Sequence, residues 1–139
     1  MRRSLLASGS VVAMLFVAFV GVASAADVSV VLNGSQEVPE VTTNAAGSAR
    51  ITVGDDMTIS GSVTTTGLAG TAAHIHMAAL GQNGPVAVAL TKSGDSGWVV
   101  PAGAKLTEAQ FAAFQAGNLY INVHSEANKG GEIRGQITP

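Results

Sequence analysis

The stretch Ala73-His74-Ile75-His76 holds two of the chain's three histidines, one residue apart. The third, His124, ends the segment Leu119-Tyr120-Ile121-Asn122-Val123-His124. Both stretches alternate as strands do. Side chains of a strand point to opposite faces in turn, so His74 and His76 share a face and Ile75 takes the other. Their Cα atoms should stand roughly 6–7 Å apart, within reach of one metal ion. In the second stretch Leu119, Ile121 and Val123 form one face, and Tyr120, Asn122 and His124 the other. The aliphatic residues take the core side and every imidazole takes the outer side. This predicts a three-histidine metal site, His74, His76 and His124, on the outer face of a β-barrel or sandwich. The plain alternative is three ordinary strand histidines. It is weakened because no histidine occurs anywhere else in the chain.

Neutral imidazoles suit copper, zinc or nickel rather than magnesium or calcium. Three ligands leave a position open, the pattern of a reactive centre rather than a closed structural one. Zinc there would activate water for hydrolysis, with Glu126 and Glu132 the carboxylates at hand. Copper would give one-electron chemistry. Met77 could serve copper as a soft ligand. If the strand continues, however, Met77 points to the core, and that placement is favoured. A final hairpin, 119–124 with 131–137, would put Ile133 and Ile137 inside and Glu132, Arg134 and Gln136 on the face of His124. A carboxylate there can hold an imidazole N–H and fix its tautomer. An arginine there can guide a small anion. The competing expectation is an ordinary surface pair of Glu132 and Arg134.

The elements that must position these residues begin after a removable leader. Arg2 and Arg3 precede an uncharged apolar run, Val11 to Val22, and Ala23-Ser24-Ala25 has the small-x-small pattern of a cleavage site. Residues 1–25 are therefore expected to be a signal peptide, by the general secretory or twin-arginine route, leaving one domain over 26–139 in the periplasm or medium. Without the leader, Lys plus Arg falls from 7 to 5 against 9 Asp plus Glu, a net charge near −4. That balance excludes nucleic acid and anionic membrane as partners, which need a basic patch. After cleavage no stable membrane insertion is expected. No cysteine is present. The fold must rest on its β-core, with a metal or a second chain in a homodimer as further support.

The fold class expected is all-β, a Greek-key sandwich or barrel with one short inserted helix at about 108–116. Val28, Val30 and Leu32 form a strand face. Pro39 marks a loop or edge. A strand is expected at 57–66, with Met57, Ile59 and Val63 pointing inward and Gly61 marking a bulge or close packing, and 47–53 should form a hairpin with 57–63. The HIH strand, a strand at 86–90 and a short one at 98–100 follow, with 93–97 as a loop. Thr107 and Gln110 make a capping box, Phe111 and Phe114 a core-facing stripe, and Gly117 a stop.

These pieces carry a family likeness. Leu32-Asn33-Gly34-Ser35-Gln36-Glu37-Val38-Pro39, Ala73-His74-Ile75-His76, Gly81-Gln82-Asn83-Gly84-Pro85-Val86, Tyr120-Ile121-Asn122-Val123-His124 and Gly130-Gly131-Glu132-Ile133-Arg134-Gly135-Gln136 together resemble the CHRD (chordin-type) domain family, over about 28–138. Ala78 departs from it, where glycine is frequent, and so does Lys129, where proline is common. The likeness implies an extracellular module, here of the stand-alone, exported bacterial type. A looser likeness joins the HxH pair and later histidine to the copper half of the Cu,Zn superoxide dismutases, also Greek-key barrels. It implies a copper-only version lacking one imidazole. The expected function is copper binding with superoxide dismutation. The alternatives are a non-catalytic copper carrier or an interaction module without catalysis.

Overall fold

A computed structural model describes residues 24–139, together with Phe16 and Ala18. The expected leader falls almost wholly outside the described residues. Among the described residues there are nine strands, in chain order β1 (Ala25–Asn33), β2 (Ala46–Gly54), β3 (Ile59–Thr66), β4 (Gly70–Met77), β5 (Val86–Ala89), β6 (Thr91–Ser93), β7 (Gly97–Val99), β8 (Leu119–Ser125) and β9 (Ile133–Ile137). One helix, α1 (Glu108–Gln115), interrupts them, and a single 3-10 turn spans Gly34–Gln36. All pairings are antiparallel, in the order β5-β4-β8-β9-β1-β2-β3-β7-β6.

The two ends of this sheet are one stretch of chain. β5 pairs with β4 and β6 pairs with β7, with only Leu90 between them. Leu90 is buried and its N–H donates to the Ala73 carbonyl at 3.0 Å. Lys92 of β6 reaches across to the Gly70 carbonyl of β4 at 2.8 Å. The sheet is thereby almost closed into a barrel, which removes the exposed edges an open sheet would leave. The expected all-β barrel or sandwich is what forms.

Alternation fills the barrel. Val28, Val30 and Leu32 meet Ile51, Val53, Ile59 and Val63 inside, and Ile75, Ile121, Val123, Ile133 and Ile137 close the other side. Each such side chain contributes about 1.5–3 kcal/mol by leaving water. The β2–β3 hairpin forms with Val53 opposite Ile59 and Gly47 opposite Thr65. Met57 packs against the core as expected, but not from within the strand. It stands in the turn at φ 68, and β3 starts two residues later. Gly61 is required where it stands, because a Cβ would strike the Arg50 carbonyl oxygen and Ile51. The capping box is present: Thr107 Oγ1 accepts from the Gln110 N–H and Gln110 Oε1 from the Thr107 N–H. Phe114 is buried in the core and Phe111 packs on its margin.

β1 and β9 share one register pair, Asn33 with Arg134. Beyond it the Gln36 side-chain amide takes the place of the ladder. It donates to the Val31 carbonyl at 3.0 Å and accepts from the Gln136 N–H at 3.2 Å. The chain from Gly34 to Ala45 then lies against β8, β9 and the loop joining them, where Glu37 meets Asn122 and Gly131 and Thr43 donates to Glu132.

Candidate metal centre

β4 and β8 pair so that Ala72 faces His124, His74 faces Asn122 and His76 faces Tyr120. Their outer side chains therefore form one patch. The ring centres of His74 and His124 are 4.9 Å apart, those of His74 and His76 5.5 Å, and those of His76 and His124 6.3 Å. One nitrogen from each ring can be chosen so that all lie within 4.8 Å of one another. Sequence alternation brings the three expected histidines together as a half-buried cluster.

Two of the rings have their tautomer set. His76 Nδ1 lies 2.9 Å from the Gly84 carbonyl, and His124 Nδ1 lies 2.8 Å from the Lys129 carbonyl. A carbonyl only accepts, so each Nδ1 carries the proton and each Nε2 keeps its lone pair. His76 Nε2 is buried with no hydrogen-bond partner. His74 Nδ1 stands 3.0 Å from His124 Nε2. Two nitrogens bound to one metal at about 2.0–2.1 Å would be about 3 Å apart at ordinary ligand angles, so this spacing fits a shared ion. Desolvation holds the His74 imidazole below its ordinary pKa, with smaller contributions from His124 and His76. Desolvation likewise lowers His76, against the opposing pull of the Gly84 carbonyl. Burial thus favours the neutral, metal-binding form.

The residues expected around the histidines take unexpected places. Glu132 holds no imidazole. Its carboxylate accepts from Ser125 Oγ at 2.7 Å, Thr43 Oγ1 at 2.9 Å and Asn128 Nδ2 at 3.1 Å. The Ser125 hydrogen bond, first among these, keeps Glu132 below the usual carboxylate range. It braces the 126–131 loop, which presents the Lys129 carbonyl to His124. Arg134 shares the face of His124 as the alternation requires, yet it has no exposed surface. Its guanidinium donates to the Gln82 carbonyl at 2.8 Å, the Ala79 carbonyl at 3.3 Å and Gln136 Oε1 at 3.1 Å. It also lies 3.5 Å over the Tyr120 ring, which in turn stacks on His76 at 4.9 Å. Arg134 therefore clasps the turn that presents the Gly84 carbonyl to His76. No surface pair of Glu132 and Arg134 exists. Glu126 is exposed and pairs instead with exposed Lys129 at 3.4 Å. Met77 packs on the core margin, on the side of Ile75.

Two participants lay unrecognised in the sequence. Asn122 is buried directly across from His74, and its spacing from His124 repeats the HxH spacing on the neighbouring strand. Glu37 is buried too, delivered by the turn whose cap is Asn33. Desolvation pushes its carboxyl up to about 7, against the pull of Arg134 and Asn122.

Residues 28–137 match the family model of the CHRD domain. The chain belongs to the CHRD domain family. Compared with curated proteins and with solved structures, it matches none. In this CHRD domain both departures noted above are accommodated. Ala78 has no left-handed backbone to accommodate, and Lys129 contributes its backbone carbonyl, which any residue supplies.

Proposed function

We propose that this CHRD domain is an exported, stand-alone copper-binding protein of bacterial type, whose ligands are His74, His76 and His124. The observation that carries the reading is the pair of backbone carbonyls, Gly84 and Lys129, that accept the Nδ1 protons of His76 and His124 and leave each Nε2 with its lone pair turned toward the cluster. Metal-binding histidines are held in this way by an acceptor on the far nitrogen. The bare, buried Nε2 of His76 adds to it, since an unpaired polar atom there costs about 1–3 kcal/mol unless a cation takes it up. Zinc fits the same donors.

The reaction that suits such a site is superoxide dismutation. Bound copper would supply one-electron exchange: one superoxide loses an electron and leaves as oxygen, and a second gains it with two protons and leaves as hydrogen peroxide. The chain's part is to hold three neutral imidazoles, with Tyr120 stacked beneath His76. A second reading, a non-catalytic copper carrier, is favoured by the burial of Arg134. An anion at the surface cannot touch that guanidinium, so any guidance from it acts through its field alone. The test is metal content and superoxide consumption measured on the same copper-loaded preparation. Copper with rapid consumption supports the enzyme, copper without it supports the carrier, and no copper rejects both.

A further inference from the structure

The amide of Asn122 sits inside the histidine patch. Asn122 stands opposite His74, with His76 and His124 on either side, all on one face of β4 and β8. Directly paired residues bring their Cβ atoms to roughly 5 Å, so its amide and the three rings crowd one space. The amide has a fixed orientation. Nδ2 donates to the Gly130 carbonyl at 3.3 Å. The same nitrogen is held beside the Glu37 carboxyl, and both lie against the bare Cα of Gly131. A Cβ at that position would collide with Glu37 Oε1 and at 2.5 Å with Asn122 Nδ2. With the nitrogen committed to that side, Oδ1 is the amide atom left for His76, the imidazole on which the Asn122 side chain acts.

That oxygen is buried and has no hydrogen-bond partner, and neither has His76 Nε2. The Nδ1 proton of His76 is already on the Gly84 carbonyl, so Nε2 offers only a lone pair. Two buried acceptors thus belong to the same patch, and neither has a donor. A cation resolves such a conflict, because a single ion takes a lone pair from each.

The geometry points to Asn122 Oδ1 as a fourth ligand of the three-histidine centre, with Glu37 as the positioning residue that orients the amide. This rests on the metal reading above and extends it. Three imidazole nitrogens and one amide oxygen form a harder donor set than imidazoles alone. The oxygen should favour Cu(II), and also Zn(II) or Co(II), over Cu(I).

The experiment titrates the protein and its Asn122→Leu variant with Cu(II) and with Cu(I), and records the visible and EPR spectra of the Cu(II) form. Leucine matches asparagine in shape but offers no oxygen. The expected result is a loss of about tenfold or more in Cu(II) affinity, a changed EPR spectrum, and an unchanged Cu(I) affinity. Wild-type Cu(II) affinity with an unchanged spectrum overturns the proposal. Equal losses for Cu(II) and Cu(I) overturn it as well, since they mark a merely structural role. If Asn122→Leu does not fold, the double variant Glu37→Gln/Asn122→Asp decides. It places an anionic oxygen at the same point, so Cu(II) must bind more tightly with a shifted spectrum, and an unshifted spectrum rejects the ligand. If wild type takes up no copper, or loses none when His76 becomes alanine, the metal reading itself has failed.

Discussion

The outer faces of β2–β3 and of β8–β9 start from the same alternation and end in opposite environments. On β2 and β3, Ser48, Arg50, Ser60, Ser62 and Thr64 point outward into water. On β8 and β9, Tyr120, Asn122 and Arg134 point outward into protein, under the 34–45 segment and the 78–85 turn, and all three are buried. The first face is a solvated wall. The second is a polar interior outside the barrel, where a hydrogen bond or a missing one has far more consequence. The histidine cluster stands at the margin of the second, and this is what fixes its tautomers.

The largest expected contrast is between two arginines. Arg134→Ala should destabilise the fold by about 3 kcal/mol or more, since it empties a buried site and strips the Gln82 and Ala79 carbonyls of their donors. Arg50→Ala, on the solvated wall, should stay within about 0.5 kcal/mol. Urea unfolding of the two variants measures both, and equal losses would erase the distinction between the faces.

Next in size is the pair Gly130 and Gly131. Gly131 has φ 126 and no room for a Cβ beside Glu37 and Asn122, while a Cβ at Gly130 meets nothing within 4 Å. Gly131→Ala should cost about 2 kcal/mol or more and Gly130→Ala much less. Thermal melts of the two alanine variants would show whether the covered face is as tightly closed as described.

A smaller effect concerns pH. The Glu37 carboxyl is raised to about 7 in the folded protein, chiefly by desolvation, from the ordinary 4.5. Between those values the folded state holds a proton that the unfolded chain has released. Stability should therefore fall as pH rises from about 4.5 to 7. Glu37→Gln keeps the shape without the titration, so its stability profile should be flatter across that window. An unchanged slope would place the carboxyl in water and weaken the picture of a covered face.

Much of this was legible in the residues. Ile121 and Val123, alternating with Asn122 and His124, gave the strand and its faces, and Thr107 with Gln110 gave the helix start. Alternation says which way a side chain points but not what lies over it. For that reason Arg134 and Glu132 read as surface residues when they are braces for two loops. Thr91-Lys92-Ser93 is polar and exposed throughout, so β6 is visible only through its partner β7. The carbonyls of Gly84 and Lys129 belong to the backbone, and no side-chain pattern announces them. The HxH pair was plain because it is made of side chains on one strand. Asn122 was hidden because its amide becomes telling only when its nitrogen is seen to be committed elsewhere.

The central claim is that His74, His76 and His124 hold one copper ion. It is tested most directly by the copper retained per chain after exposure to Cu(II) and removal of loosely bound metal. The comparison is between wild type, His76→Ala and the triple His→Ala variant. Wild type should hold about one copper per chain, most of it lost in His76→Ala and none left in the triple variant. A triple variant that keeps the wild-type stoichiometry would contradict it.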